Sequence, residues 1–491
     1  MPRTIPESRR AAGPPRPLFT GKARIHWANT GAGAGTRPLQ SVAGTSVRVQ
    51  PPSDMSAKIS SRIVSTTLLR GGVCTASQRV SGIDIFTSHM GIPIVQVYPK
   101  GLDVAQLQRS LTTMLGKYPL LGGRMRKDAQ GLPYIEGNDA GVRFRVHQCA
   151  GALPAYGPDR HLHPLLKGFH TPIYPWNIFK DSQPLFEVDV YQFDDGGAVL
   201  SNTAAHSVMD GTAYWGFMVD WAACARGEEV PDRPMEREQL IRLGEANLQT
   251  PYTRGYVYQM GFWDRVRQFA GLGWQHLVSI DKDVFRIPAN TIEQWKQQAR
   301  TEFPQADGAT TAELVTAHCL KVLNPFWTHR RDRCLGHVID LRYKRRLRVP
   351  RHFFGNALGH GEVMYTADEL DQLSVAAIAL KSRMPADSLT NDDLLGYLGL
   401  MERARQTKGI LKLMMRSVGR TLDGGLVLNN CSHYPMYEID FGTGRPSWHD
   451  ATRVVFRMLM IIPTPEMDGG VDIHLTALKP ELDAMRRLHK H

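Results

Sequence analysis

His206, with Asp210 four residues on and Gly211 directly after it, is the set in this chain whose residue types and spacing best suit proton transfer. A histidine titrates close to neutral pH, so its imidazole can take a proton from a hydroxyl or amine as that group attacks a carbonyl. To do so it must be held in one orientation, within hydrogen-bond reach of the proton. Asp210 has two readings: it orients the imidazole, as in a hydrolase triad, or it is buried against an arginine and shapes the loop. The bland reading of His206 is a core histidine satisfied by a backbone carbonyl. With 18 histidines in the chain, about one His-x-x-x-Asp match arises by chance. The flanks therefore have to carry the argument.

Ala198-Val199-Leu200-Ser201 upstream predicts a buried strand, entered through the turn Asp194-Asp195-Gly196-Gly197. Trp215, Phe217, Met218, Trp221 and Ala222 downstream recur at helical spacing. A strand, a histidine and a glycine-led helix form one presenting unit. Asp440-Phe441-Gly442-Thr443-Gly444 is the second unusual stretch, with two glycines flanking a threonine. Its glycines predict a tight turn closed to other residues. Asn429-Asn430-Cys431-Ser432 lies ten residues before Asp440 and offers amide and hydroxyl groups. Asn430 and Ser432 are candidates for an oxyanion or substrate contact, against surface-turn polarity as the bland alternative.

Other chemistries find little support. Cys74, Cys149, Cys224, Cys319, Cys334 and Cys431 show no C-x-x-C spacing and read as free thiols. His161-Leu162-His163 sits in a proline-bounded loop without carboxylates or cysteines at ligand spacing, so no metal site is expected. Lys344, Arg345, Arg346 and Arg348 read as a solvated basic loop or as a contact to the phosphates of an anionic ligand.

The net charge of +12 does not predict nucleic-acid binding, because half of it sits in one place. Residues 1–54 carry eight basic and two acidic side chains in a Pro-, Gly-, Ala- and Ser-rich stretch. A disordered basic extension over 1–57 is expected, either an over-extended gene start ahead of Met55 or an Arg-rich transit peptide. The first is favoured for want of amphipathicity. A 42% hydrophobic and 22% charged chain of 491 residues fits a globular protein with two domains. No run of 18 apolar residues occurs, so neither a transmembrane span nor membrane contact is expected; a cytoplasmic monomer is.

Apolar spacing predicts helices over 103–115, 291–299, 310–323, 366–378 and 392–406. The third of these is capped by Thr310 or Thr311, with Glu313 in its first turn. Alternation predicts strands at 142–146, 186–193, 426–428, 437–439, 454–456 and 471–475. Residues 227–280 lack a clean period and read as a crossover. Helices and strands are mixed without strict alternation, an α/β pattern.

His206 to Gly211 followed by Asp440 to Gly444 resembles the paired motifs of the BAHD acyltransferases, including their fungal branch, the trichothecene acetyltransferases, and the hydroxycinnamoyltransferases. Tyr118-Pro119-Leu120-Leu121-Gly122-Gly123-Arg124, Asp340-Leu341-Arg342 and Phe354-Gly355-Asn356 extend the match, which covers roughly residues 60 to 490. Thr443 stands where the family carries a tryptophan. The resemblance implies two chloramphenicol-acetyltransferase-like domains with mixed sheets and an active-site channel at their interface. They are expected over 58–226 and 285–491, joined by the 227–284 crossover. It implies His206 as the general base and an ion pair between Asp210 and Arg342 that points away from the cavity. Asp210, Gly211, Arg342, Asp440, Gly442 and Gly444 would support the site, and Gly355-Asn356 would form a turn in the cavity wall.

The function implied is transfer of an acyl group from a coenzyme A thioester to a hydroxyl or amine of a small secondary metabolite. No acyl-enzyme and no cofactor is expected, acyl-CoA being a co-substrate. One rival is a condensation-type enzyme fed by a carrier protein, but Ala205 replaces the extra histidine of that group. A second is a non-catalytic binding homologue, disfavoured by retention of both His206 and Asp210.

Overall fold

The strand that delivers His206 is buried along its whole length and paired on both edges, and its neighbours explain why. Phe186–Phe193 and Ala198–Ala205 form an antiparallel hairpin, closed by Gly196 at φ 87° and by Phe193 N–H donating to the Gly197 carbonyl at 2.9 Å. All eight residues of Ala198–Ala205 are buried. The strand therefore extends beyond the expected Ser201, because Gly91–Tyr98 pairs along its far edge.

The computed structural model describes residues 60–489 apart from 89–90, 155, 157–168, 170–172, 174–176, 234, 279, 329–331, 384–387, 422–423 and 452–453. All of these belong to the unit Ser56–His491. The basic extension and the His161/His163 pair lie outside the described residues.

Two mixed six-stranded sheets organise this unit, as the α/β reading expected. The first runs Ser61–Leu69, Val142–Cys149, Phe186–Phe193, Ala198–Ala205, Gly91–Tyr98, Trp448–Ala451, with one parallel pair, Val142–Cys149 beside Phe186–Phe193. The second runs Ile280–Ile287, Val471–Leu478, Met458–Pro463, Gly425–Asn430, Asp332–Asp340, Leu358–Thr366. Gly425–Asn430 is parallel to both its neighbours there.

The chain does not divide at one point between the sheets. Trp448–Ala451 crosses back to pair with Gly91–Tyr98, and Met436, Tyr437, Ile439 and Phe441 join the first sheet's core. Val104–Lys117 and Gly211–Ala225 cover the first sheet. The second helix buries Tyr214, Trp215, Phe217, Met218 and Trp221, each adding about 1.5–3 kcal/mol of apolar transfer. Ala289–Glu302, Thr311–Leu323, Val375–Ser382 and Lys479–Leu488 pack with the second sheet.

Four local expectations change. The helix expected over 366–378 is two, Ala367–Gln372 and Val375–Ser382. Leu373 is extended, and Ser374 starts a new helix by accepting from Ala377 N–H; such hydroxyl caps compete with helix continuation. Residues 437–439 form no strand; the Tyr98 hydroxyl donates to the Ile439 carbonyl at 3.0 Å instead. Residues 454–456 also fall outside the ladder, and the strand starts at Met458. Buried Arg457 precedes it, with its N–H on Thr421 Oγ1 at 2.8 Å and its guanidinium on Glu481 at 2.9 Å. The crossover holds two helices, Glu238–Ala246 and Phe262–Val278.

Candidate active site

His206 follows its strand directly, and the backbone turns at once, with Val208 N–H donating to the Ala205 carbonyl at 2.9 Å. Asp210 is the N-cap of Gly211–Ala225, its Oδ1 accepting from Ala213 N–H at 3.0 Å. Serving a free helix N–H in this way favours a short acidic side chain here. Thr87 Oγ1 and Asn356 Nδ2 both donate to the His206 carbonyl, at 3.2 and 2.6 Å. The histidine is thus held by its own peptide before its ring is considered.

The imidazole Nδ1 lies 3.0 Å from Oδ1 of Asn356. The amide orientation is set by its other bonds. Nδ2 faces Asp84 Oδ1 at 2.7 Å and the His206 carbonyl, and neither can donate. Oδ1 is consequently the acceptor, Nδ1 carries the proton, and Nε2 keeps its lone pair. Burial pushes the imidazole pKa below its ordinary 6.5, against the opposing pull of its own backbone, Asp210, Asn356 and Asp84. A neutral histidine with Nε2 free of its proton is the form a general base requires.

Asp84 anchors Asn356 and is itself saturated. Its Oδ1 receives Arg237 Nη2 at 2.8 Å and Asn356 N–H at 3.2 Å. Its Oδ2 receives Ser81 N–H at 2.7 Å and the Ser81 hydroxyl at 2.9 Å, completing the capping box of Gly82–Thr87. Arg237 also donates to the carbonyls of Val208, Ser207 and Phe354. One buried arginine so ties the loop after His206 to the loop before Asn356.

Asp210 faces Arg342, not the imidazole nitrogen. Nη1 meets Oδ2 at 2.8 Å and Nη2 meets Oδ1 at 3.0 Å, the bidentate geometry of a strong pair. Both side chains are buried. Burial works against the Arg342 charge, but Asp210 and Asp340 outweigh it and hold the guanidinium above its ordinary pKa. Arg342 also donates to the carbonyls of Phe353 and Gly355, at 2.8 and 3.1 Å. Gly211 begins the helix where a Cβ would come within 3.0 Å of the Tyr434 hydroxyl.

The Asp440–Gly444 loop is a separate device. Asp440 Oδ1 accepts from Gly442 N–H at 2.7 Å and Gly444 N–H at 2.9 Å. The glycines hold φ at 103° and 115°, a backbone that other residues rarely adopt. Phe441 plugs into the first sheet's core against Trp221, and Thr443 Oγ1 donates to the Gly101 carbonyl at 2.7 Å. Asn430 and Ser432 bond to each other, Ser432 Oγ to Asn430 Oδ1 at 2.8 Å, with Asn430 exposed. Arg345, Arg346 and Arg348 are exposed around the short turn Arg345–Leu347.

The family model described as the Transferase family matches residues 92–491. The chain belongs to the BAHD acyltransferase family. It is 23% identical over 401 residues to hydroxycinnamoyl-CoA:5-hydroxyanthranilate N-hydroxycinnamoyltransferase of Avena sativa, covering 79% of this chain and 86% of that one. Its fold is similar to vinorine synthase, with a TM-score of 0.63, 17% identity and coverage of 87% and 96% of the two chains. It is also similar to F. sporotrichioides TRI101 complexed with coenzyme A and T-2, with a TM-score of 0.60, 13% identity and coverage of 84% and 97%. As a member of the family the chain is an acyltransferase of the BAHD type, which draws on coenzyme A thioesters.

Sequence reading missed three parts of this acyltransferase's site. Asn356 was expected only as a turn residue, yet its amide contacts His206 directly. Asp84 carried a signal, the Ser81-Gly-Ile-Asp84 capping box, which marks a helix start and says nothing of Asn356. Arg237, in an irregular stretch, carried none. Among the described residues no cluster of metal ligands occurs.

Proposed function

We propose that this acyltransferase moves an acyl group from a coenzyme A thioester to a hydroxyl or amine of a small-molecule acceptor, with His206 as the general base. The observation that carries the reading is the bond between His206 Nδ1 and Asn356 Oδ1, which leaves Nε2 as the proton acceptor. In the reaction the acceptor heteroatom attacks the thioester carbonyl while Nε2 takes its proton. The tetrahedral intermediate then expels the thiolate, which recovers the proton from the imidazolium, giving acyl product and free coenzyme A. No residue needs to carry the acyl group.

Asp210, Arg342 and Gly211 hold the loop of the base, and the Asp440–Gly444 loop supports the fold of the site, none of them touching substrate in this reading. Asn430 and Ser432 are the candidates for an oxyanion or substrate contact, their mutual bond leaving the Asn430 amide nitrogen as a donor. The oat relative is named for transfer to nitrogen from a hydroxycinnamoyl-CoA, and the Fusarium structure holds coenzyme A with T-2. Both support a CoA donor and a small acceptor.

The test is thiol release from a panel of acyl-CoAs in the presence of hydroxyl and amine acceptors. Acceptor-dependent release that His206→Ala abolishes is expected. Release equal in that variant would overturn the role of His206, and transfer only from carrier-bound acyl groups would overturn the donor.

A further inference from the structure

The helix Phe262–Val278 is turned inside out relative to an ordinary surface helix. Its buried contact is polar: Gln268, itself buried, donates from Nε2 to the Val418 carbonyl at 3.1 Å. Five of its large apolar side chains face solvent, with Trp263 77%, Trp274 66% and Phe262 62% exposed, and Phe269 and Val266 also exposed. At 100° per residue these five positions fall on one arc about 140° wide, with Gln268 almost opposite its centre. Arg267 borders one edge of the arc and Arg265 the other. Arg265 lies over the Phe262 ring at 5.8 Å, and Arg267 forms only a long exposed pair with Asp264 at 3.6 Å.

The core beneath does not need these side chains. Met260, Met414, Val418, Val427 and Phe456 close on one another as a separate buried cluster. The exposed patch instead grows outward from the helix. Met260 N–H donates to the Lys412 carbonyl at 2.8 Å, which sets exposed Leu411 and Lys412 beside the helix start. A contiguous apolar surface of this kind, rimmed by polar groups, marks an interaction site.

We propose that Phe262–Val278 is an in-plane membrane anchor that seats this protein on a bilayer carrying anionic headgroups. At 17 residues the helix is about 25 Å long, enough to lie along a surface. No helix among the described residues is long and apolar enough to cross a membrane, and an in-plane helix needs no such length. Tryptophan and phenylalanine enter the boundary between headgroups and acyl chains, where an aromatic ring with a polar edge is best placed. Arg265, Arg267 and Lys412 then border the arc at headgroup level and match anionic phosphates, an attraction that salt weakens. A second copy of the chain would meet the same net-positive border, which disfavours self-association through this arc. The proposal departs from the sequence expectation of no membrane contact, which rested on the lack of a spanning run. It does not depend on which acceptor the enzyme uses.

The test is co-sedimentation of the full chain with phosphatidylcholine vesicles, with and without about one-third phosphatidylserine. Binding to the anionic vesicles is expected, and the double variant Trp263→Ser/Trp274→Ser should weaken it about tenfold or more while keeping its thermal midpoint. Arg267→Glu should weaken it less and remove part of its salt sensitivity. Three outcomes overturn the proposal. The wild type stays in the supernatant with both vesicle types. The tryptophan variant binds undiminished, so that the basic N-terminal segment alone is responsible. Or sedimentation equilibrium shows a dimer that the tryptophan variant dissociates, which makes a second copy the occupant.

Discussion

Asn356 Oδ1 stands 3.0 Å from His206 Nδ1, whereas the Asp210 carboxylate four residues along the same loop is spent on Arg342. The two neighbours of the histidine therefore do different work. Asn356 fixes the ring and its proton; Asp210 fixes the loop that carries the ring. A neutral amide suits the first task, because a carboxylate on Nδ1 would raise the histidine pKa and favour the imidazolium.

His206→Ala should abolish acceptor-dependent thiol release while leaving the thermal midpoint and coenzyme A binding near wild type. Loss of a general base costs about 10²–10⁴-fold in rate. Calorimetry beside the thiol assay separates loss of chemistry from loss of fold.

The pH profile follows from the direction of the His206 shift. Burial holds its folded pKa below 6.5, and only the neutral ring accepts a proton. Activity should therefore be full above neutrality and fall as pH drops through an inflection below 6.5. Stability linkage has the same sign: the unfolded chain takes up this proton first, so the contribution is full above 6.5 and declines as pH falls toward the folded value. Asn356→Leu removes an interaction that raises the pKa and frees the tautomer. Its inflection should move lower and kcat should fall about 10²-fold or more. A variant that merely loosened the fold would relieve the burial and move the inflection up toward 6.5 instead.

Arg342→Met leaves the buried Asp210 carboxylate without its counter-charge, and Asp210→Asn does the reverse. Breaking such a pair costs about 3–5 kcal/mol, so each single variant should lower the denaturation midpoint along with activity. The double variant should lose less than the two losses added, because the partners are not independent. Strict additivity in chemical denaturation would show that the pair does not couple.

The Asp440 loop should behave as a fold element. Asp440→Ala removes the acceptor of the Gly442 and Gly444 N–H groups; water reaches exposed Gly442, and the loss at half-buried Gly444 costs up to about 1–3 kcal/mol. Gly444→Ala forces a Cβ onto φ of 115°, a strain of about 1–3 kcal/mol. Both variants should melt earlier, and below that transition the His206 pH inflection should be unmoved.

The strand–histidine–helix unit around His206 was legible because each part is local. The alternation of 186–193, the Asp194–Gly197 turn and the helical spacing after Gly211 are all written in neighbouring residues. The helix at Thr311–Leu323 with its Thr310 cap was legible for the same reason. Paired motifs pointed to the family, and through it to Asp210 with Arg342, 132 residues apart. Beyond that pair, the sequence could not supply the relationships between buried polar groups from different elements. Asn356, Asp84 and Arg237 come from three separate segments, and they reach one another and the backbone around His206 only once the chain has closed around them. The return of Trp448–Ala451 to the first sheet has the same origin, since period and propensity do not say which edge a strand will find. The outward face of Phe262–Val278 is the reverse case. The stretch was read as a crossover without a clean period, and only packing, which set Gln268 inward on Val418, decided that the aromatic side would face out.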